Sequence, residues 1–244
     1  MKAIIFWLFT ALVPCIALSQ TKVTKSYPVK NGQTIQFRFD YPKIIRISTW
    51  EKNEIAVEAT VNINDGKNND AFSLEENTVD GKILISNKLD IKQIPNAYYI
   101  VENGIKTKFN SKEDLDNYQK DKNRQSGVSI YQTQDVQITI DIKVPNNVNT
   151  DIASVYGIVE LKDFNGPIKI DAKYGGVDAS LTEAKIGKIK LTNHYGKIYT
   201  DLSLKPTEQT EKNFFTSITA SPGKGPEYDF SSNFGNIYLR NQIK

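Results

Sequence analysis

Three reactive residue types are almost missing from this chain of 244 residues, which has one Cys, one Met and one His. Cys15 lies inside an N-terminal apolar stretch and Met1 is the initiator. Removal of that stretch leaves a mature chain with neither residue, which excludes disulfides, thiol nucleophiles and Cys-ligated metals. Blocks of like charge are missing too. Lys and Arg number 31 against 28 Asp and Glu, for a net charge of +3. Interspersed signs of this kind offer no footprint for DNA, RNA or an anionic membrane. What is present, 24% charged and 39% hydrophobic residues, is the composition of a globular protein rather than a disordered, collagenous or multi-span membrane one.

The N-terminus reads as a signal peptide over residues 1–19. Lys2 gives a short positive start, Ala3 to Leu18 is almost wholly apolar, and Ala17-Leu18-Ser19 places small residues where a signal peptidase reads, with the cut before Gln20. As a membrane anchor the run is shorter than the ~20 residues that cross a bilayer, and Pro14 interrupts it. A lipid anchor on Cys15 is disfavoured because Pro14 stands where such signals carry Gly or Ala. The expectation is therefore an exported protein, periplasmic or at the cell surface, with no integral span after cleavage.

Residues 20–244 read as a single domain rich in strands. Thr34 to Phe39, Ile44 to Ile47, Glu54 to Ile63, Lys82 to Ile85, Val136 to Val144 and Ile168 to Ile170 alternate apolar with polar residues between Gly, Asn, Asp and Pro. One helix is plausible, Ser111 to Lys122, with Ser111 as cap and Asp114 three residues on. Its residues are nearly all polar, which suits an exposed loop or a short surface helix.

A repeat emerges when the glycines are aligned. Ile152 to Val159, Ile170 to Val177, Leu191 to Ile198 and Phe230 to Ile237 share one template: apolar, any, small, any, aromatic, Gly, any, β-branched. Tyr156, Tyr174, Tyr195 and Phe234 fill the aromatic slot, and Gly157, Gly175, Gly196 and Gly235 follow them. Plain-Gly turns at Gly166 and Gly187 fall between. Two strands and two turns make about twenty residues, the length of one coil of a β-solenoid. An earlier copy holds Phe37, Phe39, Tyr41 and Ile44, with Pro42 where Gly is expected. Excursions interrupt the pattern at about 64–134 and at 205–228, the second expected to bulge out between the coils of Tyr195 and Phe234.

One such coil cannot stand alone. About five inward side chains stabilise by ~1.5–3 kcal/mol each, whereas ordering twenty residues costs ~1–2 kcal/mol apiece. Stacked coils bury a continuous apolar column and pair each backbone with its neighbours. The expected reason for the glycines is a corner with positive φ.

The segments Val29 to Gly32, Ile44 to Trp50 with Glu51 to Val57, and Val136 to Pro145 leading into Gly157 to Leu161 resemble secreted putative-adhesin β-solenoid domains of bacterial envelopes. The likeness covers 24–63 and 135–204. It implies an all-β solenoid fold and a non-enzymatic role at the envelope, with no catalytic residue to carry over; the expectation is no cofactor, and protein or glycan partners met along the long sides and excursions.

Catalytic chemistry has little to work with. His194 is the only imidazole, and its slot holds Val155, Lys173 and Asn233 in the other copies, as a solvent-facing position does. No Gly-x-Ser-x-Gly turn or phosphate-binding Gly-rich loop occurs. Asp171, Asp178 and Asp201 near turns could serve a polysaccharide-cleaving enzyme if paired at ~5–9.5 Å, but among Lys169, Lys173, Lys188 and Lys190 they read as a charge-mixed face. Asn64 to Asp70 is rich in oxygens yet lacks the EF-hand spacing, so a turn is expected rather than a calcium site. The aromatic residues recur once per coil and so should form a ladder, either a ligand platform or part of the core. Strand alternation from Ile152, Ile170, Leu191 and Phe230 points them inward. The reading that results is a non-enzymatic, adhesin-like or scaffold module. Its rivals are a carbohydrate-active enzyme using turn carboxylates and a periplasmic accessory whose 64–134 segment docks a membrane protein.

Overall fold

The computed structural model describes residues 20–120 and 128–242; the expected leader, with Cys15, lies outside the described residues. Alternation governs the fold. Along Thr34–Phe39, Ile35, Phe37 and Phe39 are buried and the residues between them face outward, and Glu54–Ile63 repeats this over ten residues.

In chain order the first strands are β1 (Thr21–Pro28), β2 (Thr34–Phe39), β3 (Ile44–Trp50), β4 (Glu54–Ile63), β5 (Phe72–Val79) and β6 (Lys82–Leu89). Next come β7 (Ala97–Glu102), β8 (Ile105–Phe109), the helix α1 (Lys112–Lys120) and β9 (Ser129–Thr133). The chain returns through β10 (Val136–Pro145), β11 (Thr150–Ser154), β12 (Ile158–Leu161), β13 (Ile168–Ala172) and β14 (Val177–Leu181). It ends with β15 (Lys188–His194), β16 (Ile198–Thr200), β17 (Pro206–Lys212), β18 (Phe215–Ala220), β19 (Glu227–Ser232) and β20 (Ile237–Asn241).

The protein is all-β, in two large mixed sheets and one small one, and none closes on itself. The eight-stranded sheet runs β1-β4-β10-β3-β12-β14-β20-β16 and the nine-stranded sheet β17-β18-β15-β19-β13-β11-β2-β6-β5. Their inner faces share one hydrophobic cluster. Five two-strand units cross between the sheets: β2–β3, β11–β12, β13–β14, β15–β16 and β19–β20. Within each sheet these units pair in parallel and in register, so that Phe37, Ile152, Ile170, Phe230 and Leu191 line up. Ile45, Val159, Val177, Ile237 and Ile198 line up opposite.

Order in space departs from order in sequence. The last unit, β19–β20, sits between β13–β14 and β15–β16. The 205–228 segment therefore does not bulge between the Tyr195 and Phe234 units. Its hairpin, β17–β18, lies beyond β15 and forms that edge of the nine-stranded sheet. The 64–134 segment is also only partly an excursion, because β6 pairs in parallel with β2 and β5 folds back along β6 as the opposite edge. The rest forms the sheet β8-β7-β9 with α1 beside it. Ser111 caps that helix as the sequence suggests, its Oγ accepting from the Asp114 N–H at 3.0 Å, and Leu115 is its buried residue.

Candidate functional site

Each unit turns from one sheet to the other at the template corner, and in three of the five a buried polar side chain closes the bend. Ser154 Oγ accepts the Gly157 N–H at 3.0 Å, Ser232 Oγ that of Gly235 at 3.0 Å, and Asn193 Oδ1 that of Gly196 at 2.7 Å. Two of these side chains also reach the next unit: Ser232 Oγ donates to Gly175 O at 2.9 Å and Asn193 Nδ2 to Gly235 O at 2.9 Å.

The glycines are required by close approach, not by positive φ as the sequence suggests. None of the six turn glycines has φ in the left-handed region. A Cβ on Gly175 would meet Gly157 O at 2.0 Å, one on Gly235 would meet Gly175 O at 1.9 Å, and one on Gly196 would meet Gly235 O at 1.9 Å. A Cβ on Gly157 would meet Pro42 O at 2.3 Å, so the proline of the first copy is the end of the glycine column. At the plain turns a Cβ on Gly187 would be as crowded, at 2.1 Å from Gly225 O, while one on Gly166 would lie 3.3 Å from Asn147 N.

The bend also reverses the expected direction of the aromatic slot. Alternation would turn Tyr156, Tyr174, Tyr195 and Phe234 into the core, but the strands end at the small buried residue, or one residue beyond it in β15, and the rings stand outside. With Phe214 they are between 48% and 70% exposed. Backbone pairing continues through the corner, with Tyr174 N–H donating to Val155 O at 2.8 Å and Phe234 N–H to Lys173 O at 3.0 Å. The rings consequently stack at nearly the strand spacing. Tyr156 and Tyr174 lie 5.4 Å apart, Tyr174 and Phe234 5.2 Å, and Phe234 and Tyr195 5.2 Å, all within 15° of parallel.

Two rings that the template did not assign to the ladder extend it. Tyr41, half-buried, tilts against Tyr156 at 6.1 Å, and Phe214 at the β17–β18 turn stacks on Tyr195 at 5.4 Å. Tyr41 carries a signal, since it precedes Pro42 where the template has aromatic-Gly. Phe214 belongs to no repeat. Six rings thus run in one column along the corner, five of them exposed. Tyr195 takes φ +60° there, a left-handed conformation that costs a non-glycine residue ~1–2 kcal/mol.

This fold resembles that of a solved bacterial protein. The crystal structure of a putative cell adhesion protein from Clostridium sporogenes ATCC 15579 matches 92% of this chain and 100% of that one, with a TM-score of 0.50 and 9% identity. At that identity the likeness is one of fold. A putative adhesin from Bacteroides fragilis NCTC 9343, aligned over 92% of this chain and 99% of its own at 10% identity, has a TM-score of 0.24 and supports no argument. No family model matches the chain, and no curated protein does.

The remaining candidates are dispersed. Asp171 projects from the outer face of the nine-stranded sheet, where Ser231 Oγ donates to it at 3.1 Å. Asp178 projects from the outer face of the eight-stranded sheet and holds Arg240 by two bonds of 2.7 and 2.8 Å. Asp201 accepts the Asn241 N–H. His194 ends β15 with its ring edge-on to Phe215 at 4.9 Å. In the 64–70 turn the oxygens serve the protein itself: Asn69 Oδ1 accepts the Ile63 N–H at 2.7 Å, and Asp65 pairs with Lys108 at 2.8 Å. Lys108 reaches Asp135 as well, at 2.6 Å. Burial would raise the Asp135 pKa, but bonds from Lys108 and Gln137 and the charges of Lys108 and Lys43 outweigh it and hold the carboxyl below its ordinary value. Among the described residues no group of acidic and His side chains is arranged to hold a metal, and no helix is long and apolar enough to cross a membrane.

Proposed function

We propose that this chain is an exported, non-enzymatic module of the bacterial cell envelope, an adhesin-like member of the putative-adhesin β-solenoid group. Its two-strand units form a short solenoid that holds a contact ridge in place. The observation that carries this reading is the six-ring column, five of whose rings are exposed. Large rings left in water mark a contact surface, and Tyr is among the residues that dominate binding energy at interfaces. Neighbouring rings and the paired backbone beneath already restrain each ring, so little side-chain freedom is lost on binding.

Stacking also decides how the ridge touches a partner. Ring faces are taken by neighbouring rings, so a protein or glycan meets ring edges and tyrosine hydroxyls along the column. The fold likeness to the Clostridium sporogenes protein described as a putative cell adhesion protein supports the same reading. Asp171 and Asp178, which an enzyme would need side by side, stand on opposite outer faces.

The test is adhesion of beads coated with the exported protein to surfaces bearing envelope or host glycans and proteins. Tyr156→Ser, Tyr174→Ser and Tyr195→Ser together should lower retention at least tenfold, with the melting temperature falling by only a few degrees. Unchanged retention, or glycan turnover abolished by Asp171→Asn or Asp178→Asn, overturns the proposal. Cell fractionation that finds the chain in the cytoplasm overturns its address.

A further inference from the structure

The outer face of the eight-stranded sheet carries a second feature, far from the corner ridge in its chemistry. Lys143 on β10 lies between Ser48 on β3 and Ala56 on β4. These two small neighbours leave a hollow of about 730 Å3, within the ~300–1,000 Å3 range of ligand sites. Its two walls stand on β3, four residues apart and both facing outward: Arg46 at one end and Trp50 at the other. The indole is fixed, its Nε1–H donating to Glu54 O at 2.8 Å. The guanidinium is fixed as well, bonded through Nε to Glu160 at 3.0 Å and through Nη1 to Asp141 at 3.5 Å.

We propose that this hollow binds a neutral glycan chain, with Trp50 packing on sugar C–H faces and the Asp141–Arg46–Glu160 row bonding to hydroxyls. The inference goes beyond the ridge, because it places a ligand on a different surface and names its class. Charge selects that class. The lining carries four carboxylates against three cations, so a polyanion meets carboxylates that already occupy Arg46, and a polycation meets Arg46 and two lysines. A hydroxyl both donates and accepts, and so can use fixed donors and acceptors side by side. An indole wall supplies the large apolar contact that a sugar ring's C–H surface needs.

Direction follows from the register. The row at Arg46 continues across the strands through Glu160, Asp178 and Tyr238 to Tyr199. Tyr199 and Tyr238 are stacked 5.1 Å apart, and Arg240 lies over Tyr238. A linear chain laid across the strands from Arg46 would meet a polar side chain or a ring at each step of ~4.8 Å, with Trp50 four residues along β3 beside its first unit.

The experiment is calorimetric titration of the exported protein with neutral hexasaccharides of β-linked glucose, mannose and N-acetylglucosamine, with dextran sulfate and polylysine as charged arms. At least one neutral hexasaccharide should bind. Trp50→Ala and Arg46→Ala should each weaken it tenfold or more, Ser48→Tyr should block it by filling the floor, and each variant should melt within a few degrees of the parent. Tyr195→Ser, on the ridge, should leave it unchanged. Absence of neutral glycan binding, preference for a charged polymer, or affinity unaltered in Trp50→Ala and Ser48→Tyr overturns the inference. Loss in Tyr195→Ser alone also overturns it, while leaving the ridge proposal standing.

Discussion

A single methyl group separates the two kinds of glycine at the corners. A Cβ on Gly235 would lie 1.9 Å from a backbone carbonyl oxygen, which cannot rotate away as a side chain can. Gly235→Ala must push two paired units apart and should cost about 1–3 kcal/mol or more. On Gly166 the nearest atom is at 3.3 Å, and an alanine there also restricts the unfolded chain, which stabilises by ~0.4–1 kcal/mol. Gly166→Ala should therefore be nearly neutral. Urea unfolding of the two variants checks the pair, and equal losses would mean that the contacts do not set the glycine requirement. The template exposed both positions to a reader of the sequence. It could not say why they are glycine, because close approach and positive φ leave the same mark. Nor could it show that Ser154, Asn193 and Ser232 end the alternation. Each takes a bond from the Gly N–H three residues on, and at the Tyr174 corner Ala172, buried but without an acceptor, ends the strand with the ring again outside.

The small sheet β8-β7-β9 is tied to the stack by an ion pair with a defined pH range. Lys108 lies between Asp65 of the β4 turn and Asp135 at the start of β10. Asp135 has its pKa lowered below the ordinary 3.8. Its contribution is thus complete above that value and is lost as pH falls through the lower, folded value. For Lys108, burial acts to lower the pKa but the two carboxylates outweigh it, so the pKa is raised above 10.5. That contribution is complete below 10.5 and lost as pH rises through the higher, folded value. Both groups are only partly covered, which limits the bond to about 1–2 kcal/mol. Hydrogen exchange in β7–β9 should accelerate as pH is lowered from about 4 towards 2, beyond the intrinsic trend. Lys108→Met should show fast exchange at neutral pH already and no further acid step. An acid step of the same size in that variant would place the titrating group elsewhere. Nothing in the sequence joins Asp65, Lys108 and Asp135: they are scattered polar residues in a stretch without a repeat. The same is true of the hairpin that brings Phe214 onto the ladder.

Insertion of the last unit between two earlier ones changes what the C-terminus means for the whole chain. Repeat stacks are held by neighbour contacts, so stability is greatest inside and least at the ends. Here β19–β20 is inside. Phe230 pairs in register with Ile170 on one side and Leu191 on the other, and Phe230 and Ile237 are wholly buried. The template copies are equivalent in pattern, so no sequence reading could place the fifth unit between the third and the fourth. The edges are instead β1 and β16 in one sheet and β5 and β17 in the other. Every residue of β17 is exposed, and Pro206, Glu208, Glu211 and Lys212 make it a poor template for another strand. Peptides spanning 227–241 should accordingly be among the slowest to exchange, slower than β17 and β1, although they lie next to the chain end. Deleting residues 226–244 should do more than shorten the stack. It removes the shared neighbour of β13–β14 and β15–β16 and the middle ring of the column, Phe234, so the remaining chain should lose its single cooperative transition in urea. A C-terminal deletion that melts as sharply as the parent, or early exchange at 227–241, would mean that the final unit is an appendage rather than the keystone its register makes it.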